Sequence, residues 1–241
     1  MSPTHTFGHK AMKTDFTLRL KHRDRQLAQN VAGEAIELID AIENKLSRYI
    51  PGSDVWQINH MQAGQNLFLS ELCYDCLLAG LQAYQETGGL FDVTLGRIIE
   101  HQKTKEASPP PDLAGQLVVA PDRPAIQCNE AGREIDLGGI GKGFALDRVK
   151  QLVQEWEIES GILSAGASTH LAFGPQEWTL GLSGQNETRN IKIRDQALSA
   201  SGSGVQEEHI VSADGQASAY HHPRIWILHP SATWADVWST A

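Results

Sequence analysis

A glycine-rich run in the middle of the chain constrains its fold most strongly. The run, Asp136-Leu-Gly-Gly-Ile-Gly-Lys-Gly-Phe-Ala-Leu-Asp147, begins in a predicted strand at 133–137 and leads into a segment with helical spacing of apolar residues. Glycine lets the backbone approach a ligand closely and adopt positive φ, and a helix start offers unpaired N–H groups. Lys142 adds a cation. The run predicts a strand–turn–helix junction that holds a phosphate or pyrophosphate, with a plain glycine turn and a solvated lysine as the alternative.

Two common nucleotide-binding patterns do not fit this run. A P-loop has a serine or threonine directly after its Gly-Lys pair, and its first glycine stands at a different spacing. The Rossmann pattern G-x-G-x-x-G also fails, because the glycines after Gly139 fall at positions 141 and 143. The run therefore predicts a phosphate-binding site, but it does not identify the ligand.

Composition and charge narrow the class of protein. The chain has 241 residues, of which 41% are hydrophobic and 20% are charged, as in a soluble globular protein of one large domain or two packed lobes. The formal net charge of -9 argues against a nucleic-acid partner or an anionic membrane surface. An anionic ligand would then depend on backbone N–H groups, a metal ion or a few well-placed cations.

No targeting or membrane segment is visible. The first 25 residues contain neither a long apolar stretch nor a small-residue cleavage site, and no later segment approaches a transmembrane span. We expect a protein without a transmembrane segment, cytoplasmic as written or periplasmic if the sequence is a trimmed form of an exported protein.

The three cysteines do not form an obvious disulfide or metal framework. Cys73 and Cys76 make a C-x-x-C pair inside a predicted helix, where they share the apolar face with Leu77. A zinc site needs a second such pair or histidines at suitable spacing, and the third cysteine, Cys128, is far along the chain. We expect buried, unpaired thiols.

The order of predicted elements is typical of an α+β protein. A strand at 16–20 precedes an amphipathic helix at 26–48, and Ser70 is a plausible N-cap for a second helix that ends near Gly88. Residues 101–112 are polar and proline-rich and predict a surface loop. The remaining predictions are short strands and a closing helix that starts at Asp236; the strands lie near 66–70, 117–119, 124–128, 133–137, 161–164, 169–173, 178–182, 189–193, 209–211 and 225–229.

Several motifs in order resemble those of the ApbE family, the FAD-dependent flavin transferases. The glycine-rich run, extended to Ile135–Val149, resembles the central motif of that family. The other matching segments are Met12–Thr17, Leu46–Ser53 with Asn59, Thr87-Gly-Gly-Leu-Phe-Asp-Val-Thr94, Ala197-Leu-Ser-Ala-Ser-Gly202 and Ala235-Asp-Val-Trp-Ser-Thr-Ala241. The resemblance covers nearly the whole chain.

The resemblance implies a fold and an activity. The fold would be T-fold-like α+β, with mixed or antiparallel sheets, packed helices and two intimately associated lobes, all in one domain over 1–241 that is shortened at its C-terminus. The enzymes of this family cleave FAD in the presence of Mg²⁺ and attach FMN to a threonine or serine hydroxyl of a partner protein, with release of AMP. Some members instead hydrolyse FAD to FMN and AMP.

The resemblance also implies roles for particular residues. Asp236 and Lys142 would be catalytic, and Mg²⁺ would bind the Gly139 carbonyl and the side chains of Asp236 and Thr240. Further contacts with FAD are implied for Met12, Tyr49, Leu90, Phe91, Asp92, Asp136, Lys142 and His222.

Most of these residues have a structural alternative. Tyr49 and Phe91 are as compatible with a hydrophobic core as with a ligand, and Asp92 and Asp136 are typical turn residues that bond nearby amides. Asp236 is also a plausible helix N-cap. A serine nucleophile at Ser199–Gly204 is disfavoured against a strand end, since the G-x-S-x-G elbow is absent.

The chain also departs from the family pattern. Ser164–Ser168 stands where the family has two glycines and an acid or amide, Lys13 replaces a glycine, and Tyr220-His-His-Pro-Arg224 keeps only part of a histidine motif. These departures concern the flavin and acceptor regions more than the pyrophosphate region. Three hypotheses follow: an FMN transferase, an FAD pyrophosphatase and a non-catalytic flavin-binding protein.

Overall fold

A computed structural model of the chain describes residues 2–104, 109–183, 188–202 and 224–241. Within this part the chain folds into two compact units. The first contains the described residues of 1–43, 140–205 and 222–240, and the second those of 44–139 together with Ala241. None of the helices described is long and apolar enough to cross a membrane.

The first unit is built on a six-stranded sheet in which every neighbouring pair is antiparallel. Its order is β1-β2-β6-β7-β10-β11. The strands are β1 (Thr4–Ala11), β2 (Thr14–Lys21), β6 (Ser160–Ala165), β7 (Thr169–Phe173), β10 (Ala197–Ser201) and β11 (Ile225–His229). A separate hairpin of β8 (Trp178–Ser183) and β9 (Thr188–Ile193) packs Trp178 and Ile193 against Ile162 and Ala172 of the sheet.

Three helices accompany this sheet: α1 (Arg25–Leu46), α5 (Gly141–Glu155) and α6 (Ala232–Thr240). The apolar residues of α1 recur at helical spacing, and Val31, Ala35, Ile39 and Ile42 are all fully buried. Helix α6 packs against α5 and against β10 and β11. This packing brings the end of the chain to the glycine-rich run.

The second unit contains a three-stranded antiparallel sheet of order β3-β5-β4, formed by β3 (Asn66–Phe68), β5 (Ala125–Glu130) and β4 (Gln116–Val119). Its helices are α2 (Asp54–Asn59), α3 (Glu71–Glu86) and α4 (Gly96–Thr104). Ser70 caps α3 by accepting a hydrogen bond from Cys73 N, as the sequence predicted.

The cysteines are buried and free, which confirms the sequence prediction. Burial raises the pKa of the Cys73 thiol well above its ordinary value, and the nearby Asp54 carboxylate raises it further. A thiol in this state is protonated and unreactive at neutral pH. The C-x-x-C pair is therefore part of the hydrophobic core of the second unit.

Several element predictions need correction. The closing helix begins at Ala232 rather than at Asp236, and residues 101–104 belong to α4 instead of a loop. Residues 133–137 form only an isolated bridge between Glu134 and Leu95, and the predicted strand at 209–211 lies outside the described residues. Strand β1 was not predicted because its sequence is polar and alternates only weakly, and the short α2 was not predicted either.

The fold class agrees with the prediction: it is α+β, with antiparallel sheets and packed helices.

Candidate functional site

The glycine-rich run forms the N-terminal end of α5, as predicted, but its glycines serve a different purpose. None of Gly138, Gly139, Gly141 and Gly143 has positive φ. A Cβ at Gly143 would collide with the backbone of Ala232 and Thr233, whereas a Cβ at Gly141 would meet nothing. Gly143 is thus required because α5 and α6 approach each other closely, and left-handed backbone is not the reason for the run.

Asp236 is the centre of a buried polar cluster in the first unit. The residue is only 2% exposed, and it lies inside α6. Its Oδ2 accepts a hydrogen bond from Gly143 N at 3.1 Å and lies 3.5 Å from Lys142 Nζ. The backbone of α5 supplies one of its free N-terminal amides to this carboxylate, which the positive end of the helix dipole stabilises.

Two hydroxyls complete the coordination of the Asp236 carboxylate. Its Oδ1 accepts hydrogen bonds from Ser199 Oγ at 2.9 Å and from Thr169 Oγ1 at 3.2 Å. Thr169 on β7 and Ser199 on β10 are register partners, so they project from the same face of the sheet. Ser199 is therefore a buried hydrogen-bond donor on a strand, in line with the preference for a strand over a nucleophile.

More hydroxyls lie beside Asp236. Thr240 Oγ1 donates to the Asp236 carbonyl at 2.9 Å, and Ser239 Oγ donates to the same oxygen at 3.0 Å. Ser201 Oγ lies 3.0 Å from Ser239 Oγ and 3.2 Å from Thr240 Oγ1. We call Lys142, Thr169, Ser199, Ser201, Asp236, Ser239 and Thr240 the Asp236 cluster.

The Asp236 cluster has the donor chemistry of a hard cation site. Apart from the Lys142 ammonium and a backbone amide, the groups around the carboxylate are oxygens, and Mg²⁺ prefers oxygen ligands. In the part of the chain that the structure describes, no three His, Cys, Asp or Glu side chains gather in a metal-binding group. A Mg²⁺ ion here would be held by one carboxylate and hydroxyl oxygens, with substrate phosphates completing its shell, a common arrangement for this ion.

Gly139, the third predicted metal ligand, belongs to a different unit from the other two. Gly139 is assigned to the second unit, whereas Asp236 and Thr240 belong to the first. Its role stays a prediction.

The alternative role of Asp236 as an N-cap is wrong. Ser231 precedes α6 and accepts a hydrogen bond from Trp234 N. Asp147, the last residue of the glycine-rich run, then fixes this helix start: its carboxylate accepts from Ser231 Oγ at 2.6 Å, Ala232 N at 2.9 Å and Thr233 N at 2.9 Å. Asp147 holds the helix that carries Asp236 and Thr240, a function that the sequence did not predict.

A second polar cluster surrounds Asp136 in the second unit. The Asp136 side chain is 8% exposed, and its Oδ1 accepts from Gly138 N at 2.8 Å, which confirms that it bonds its own turn. Its Oδ2 lies 3.4 Å from Arg48 Nη1 and 3.7 Å from Lys103 Nζ. Arg48 also donates to Glu134 Oε2 at 2.6 Å and to the Gly96 carbonyl at 2.6 Å.

Tyr49 lies beside these charges and remains accessible. It is 45% exposed, so the core alternative for this ring is wrong. Its hydroxyl donates to Glu100 Oε2 at 3.2 Å and accepts from Lys103 Nζ at 3.0 Å. We call Arg48, Tyr49, Glu100, Lys103, Glu134 and Asp136 the Asp136 cluster.

The other predicted FAD contacts of the second unit differ in accessibility. Leu90 is 65% exposed, and Phe91 is 5% exposed and belongs to the core. Asp92 Oδ1 accepts from Thr94 N at 2.7 Å, which confirms the turn-capping alternative. Of these three side chains, Leu90 is the most available to a ligand.

Met12 lies at the tip of the β1–β2 hairpin in the first unit. Met12 and Lys13 both adopt left-handed backbone, with φ of 50° and 57°. Side chains other than glycine, asparagine and aspartate are strained in this region, and strain of this kind is concentrated at functional sites. A cavity of about 300 Å³ lies at this tip and is lined by Met12, Lys13, Asp15 and Glu43 among others.

The structure thus brings Lys142, Asp236 and Thr240 together, and separately brings Tyr49 and Asp136 together. His222 lies outside the described residues. Sequence reasoning missed Arg48, Lys103 and Asp147. The first and last stand inside the matched motifs, whereas Lys103 is in a segment that its polar sequence marked as a loop.

Comparisons with known proteins agree with the motifs. The sequence model of the ApbE family matches residues 12–241. A protein of Klebsiella pneumoniae (strain 342) named FAD:protein FMN transferase is 23% identical over 273 residues, which cover 100% of this chain and 83% of the relative. A protein of the same name from Treponema pallidum (strain Nichols) is 25% identical over 252 residues, and the aligned region covers 86% of this chain and 69% of the relative.

Solved structures share the fold. The flavin transferase ApbE from Vibrio cholerae superposes with a TM-score of 0.86 at 19% identity, covering 100% of this chain and 86% of that one. The ApbE protein from Thermotoga maritima superposes with a TM-score of 0.82 at 22% identity, covering 99% and 85%.

Proposed function

Because this chain belongs to the ApbE family, we propose that it transfers FMN from FAD to a hydroxyl group of an acceptor protein and releases AMP. The relatives named FAD:protein FMN transferase support this activity. The observation that carries the proposal is the Asp236 cluster, in which the residues that the family motifs single out as catalytic come together around one buried carboxylate.

The reaction is a phosphoryl transfer. The acceptor oxygen forms a bond to the phosphorus of the FMN half, the anhydride bond breaks, and AMP leaves with its phosphate. The protein accelerates such a step mainly by positioning the reactants and stabilising charge. Lys142 is the cation of the cluster and would lie against the pyrophosphate oxygens.

Asp236 would accept the proton of the attacking hydroxyl. Its carboxylate already accepts hydrogen bonds from two hydroxyls, those of Ser199 and Thr169, so a substrate hydroxyl is a donor of the same kind. We propose that Asp236 and Thr240 also hold Mg²⁺, which would neutralise charge on the pyrophosphate as its anhydride bond breaks. Threonine or serine is the proposed acceptor residue.

Incubation with FAD and Mg²⁺, with and without a threonine-containing acceptor peptide, tests the proposal. AMP is followed by chromatography and the peptide by its mass, with EDTA added to a parallel sample. Transfer predicts AMP release and a mass increase of one FMN phosphoester, only with the peptide and not with EDTA.

Other outcomes overturn the proposal in different ways. Release of AMP and free FMN without the peptide identifies a pyrophosphatase. Bound but intact FAD identifies a flavin-binding protein without turnover, and an absence of FAD binding contradicts the FAD-based interpretation altogether.

A further inference from the structure

Helix α4 contributes two charged residues to the Asp136 cluster that none of the family motifs contains. Glu100 and Lys103 are three residues apart, so they lie on one face of the helix. Both contact the Tyr49 hydroxyl, one as acceptor and one as donor. The hydroxyl is thus held from two sides by groups of opposite charge.

Lys103 also connects Tyr49 to Asp136. Its Nζ is 3.0 Å from the Tyr49 hydroxyl and 3.7 Å from Asp136 Oδ2. The same ammonium lies 5.5 Å from the centre of the Tyr49 ring. One side chain therefore joins two residues that the family resemblance associates with FAD.

The Tyr49 ring is fixed but not covered. Arg48 Cζ lies 5.8 Å from the ring centre, within cation–π range. With its hydroxyl hydrogen-bonded and cations beside it, the ring loses little further freedom when a ligand stacks on it, and its 45% exposure leaves area for that contact.

The charges of the Asp136 cluster argue against phosphate as its ligand. The cluster contains two cations, Arg48 and Lys103, and three carboxylates, those of Glu100, Glu134 and Asp136, so no positive charge is in excess. Phosphate sites need unneutralised cations or free amides. An uncharged planar ring suits an accessible aromatic side chain better.

We propose that Glu100 and Lys103 are positioning residues that hold Tyr49 as a stacking platform for a planar heteroaromatic ring of the dinucleotide, either its adenine or its isoalloxazine. This inference rests on the proposed function, since it takes FAD as the ligand. Lys103 acts through Tyr49 and Asp136 and takes no part in the bond changes.

The test measures FAD binding by its fluorescence in wild type, Lys103→Met and Lys103→Arg. Lys192→Met is the matched control, because Lys192 also pairs with an acid but belongs to the β8–β9 hairpin of the first unit. We expect the Kd for FAD to rise about tenfold in Lys103→Met. In Lys103→Arg it should stay within about threefold of wild type, since the charge is kept, and in Lys192→Met it should not change.

Turnover and fragments sharpen the result. In AMP-release assays Lys103→Met should raise KM and leave kcat unchanged, which a general loss of folding would not do. Binding of AMP and of FMN is measured separately, and the fragment whose affinity falls in Lys103→Met contains the stacked ring.

An unchanged FAD affinity in Lys103→Met overturns the inference. A lower kcat with an unchanged KM in the same variant overturns it as well. Should Lys103→Met fail to fold, Glu100→Gln replaces it, and unchanged FAD affinity in that variant overturns the inference equally. Absence of FAD binding by the wild type instead contradicts the proposed function, so the two failures are distinguishable.

Discussion

Each of the two polar clusters contains a carboxylate that is almost inaccessible to solvent, but the partners that stabilise the buried charge differ between them. Asp136 lies near two cations, Arg48 and Lys103, and accepts a hydrogen bond from one backbone amide. Asp236 has one cation, Lys142, and otherwise accepts from two hydroxyls and an amide. Burying a carboxylate is costly unless such partners are present.

Because their partners differ, the two carboxylates can support different chemistry. The Asp136 Oδ2 already has two cations, Arg48 and Lys103, as partners, whereas the hydroxyls around Asp236 are themselves potential oxygen ligands for a divalent cation. We therefore propose that the metal and the phosphoryl chemistry belong to the Asp236 cluster and ring binding to the Asp136 cluster.

The largest expected effect comes from exchanging the two acids for amides. Asp236→Asn should lower the kcat for AMP release by at least about 100-fold, since the proposed proton acceptor and Mg²⁺ ligand is lost. Asp136→Asn should act mainly on KM, by about tenfold. Steady-state kinetics at saturating Mg²⁺ measures both, and circular dichroism controls for folding. A larger fall of kcat in Asp136→Asn than in Asp236→Asn would reverse our assignment.

The close approach of α5 and α6 gives the next largest effect. Gly143→Ala should destabilise the protein by about 1–3 kcal/mol because the new methyl group collides with α6. Thermal unfolding should show a Tm lower by roughly 2–4 °C for each kcal/mol. Gly141→Ala is the matched control, since a Cβ there meets nothing, and its Tm should not fall. Equal Tm values for the two variants would contradict the packing explanation.

Arg48 tests the burial of charge in the Asp136 cluster. Its side chain is 10% exposed, and Arg48→Met leaves two carboxylates with a lost partner, so we expect a loss of about 3 kcal/mol in the free energy of unfolding. Lys10→Met is the control, because Lys10 is 89% exposed in its ion pair with Asp15 and should change stability by less than about 1 kcal/mol. Urea unfolding compares the variants, and similar losses would show that Arg48 is not effectively buried.

The smallest effect concerns pH and His170, which follows Thr169 of the Asp236 cluster on β7. Burial lowers the pKa of His170 below its ordinary value of 6.5, so the folded protein binds a proton there less readily than the unfolded chain. Its contribution to stability should be fully present above pH 6.5 and decrease as the pH falls below that value. His170→Asn should show a shallower loss of Tm between neutral and mildly acidic pH, and an identical pH profile would exclude this effect.

Much of the fold follows from local sequence, and much of the site does not. Helical spacing predicts α1 almost to its ends, and Ser70 marks the start of α3 because capping is a local interaction. The partners of Asp236 come from β7, β10 and α5, and Gly143 is 93 residues away in sequence. No periodicity reports such contacts; only the family motifs indicated that Lys142 and Asp236 share a site.

Residues that support other residues were the hardest to predict. Asp147 lies inside a matched motif, but its role depends on the start of α6, which the sequence placed four residues too late. Lys103 belongs to a polar segment next to a proline-rich stretch, where helical periodicity is weak. Both act through tertiary contacts with distant side chains or backbone.

Direct binding of Mn²⁺, followed by its paramagnetic resonance in the presence of FAD, tests most directly whether the two carboxylates have different tasks. Mn²⁺ serves as a visible substitute for Mg²⁺ at an oxygen-ligand site. We predict that wild type and Asp136→Asn bind Mn²⁺ with similar affinity and that Asp236→Asn does not bind it, at FAD concentrations that saturate each protein. Undiminished Mn²⁺ binding by Asp236→Asn, or its loss in Asp136→Asn alone, would contradict the account.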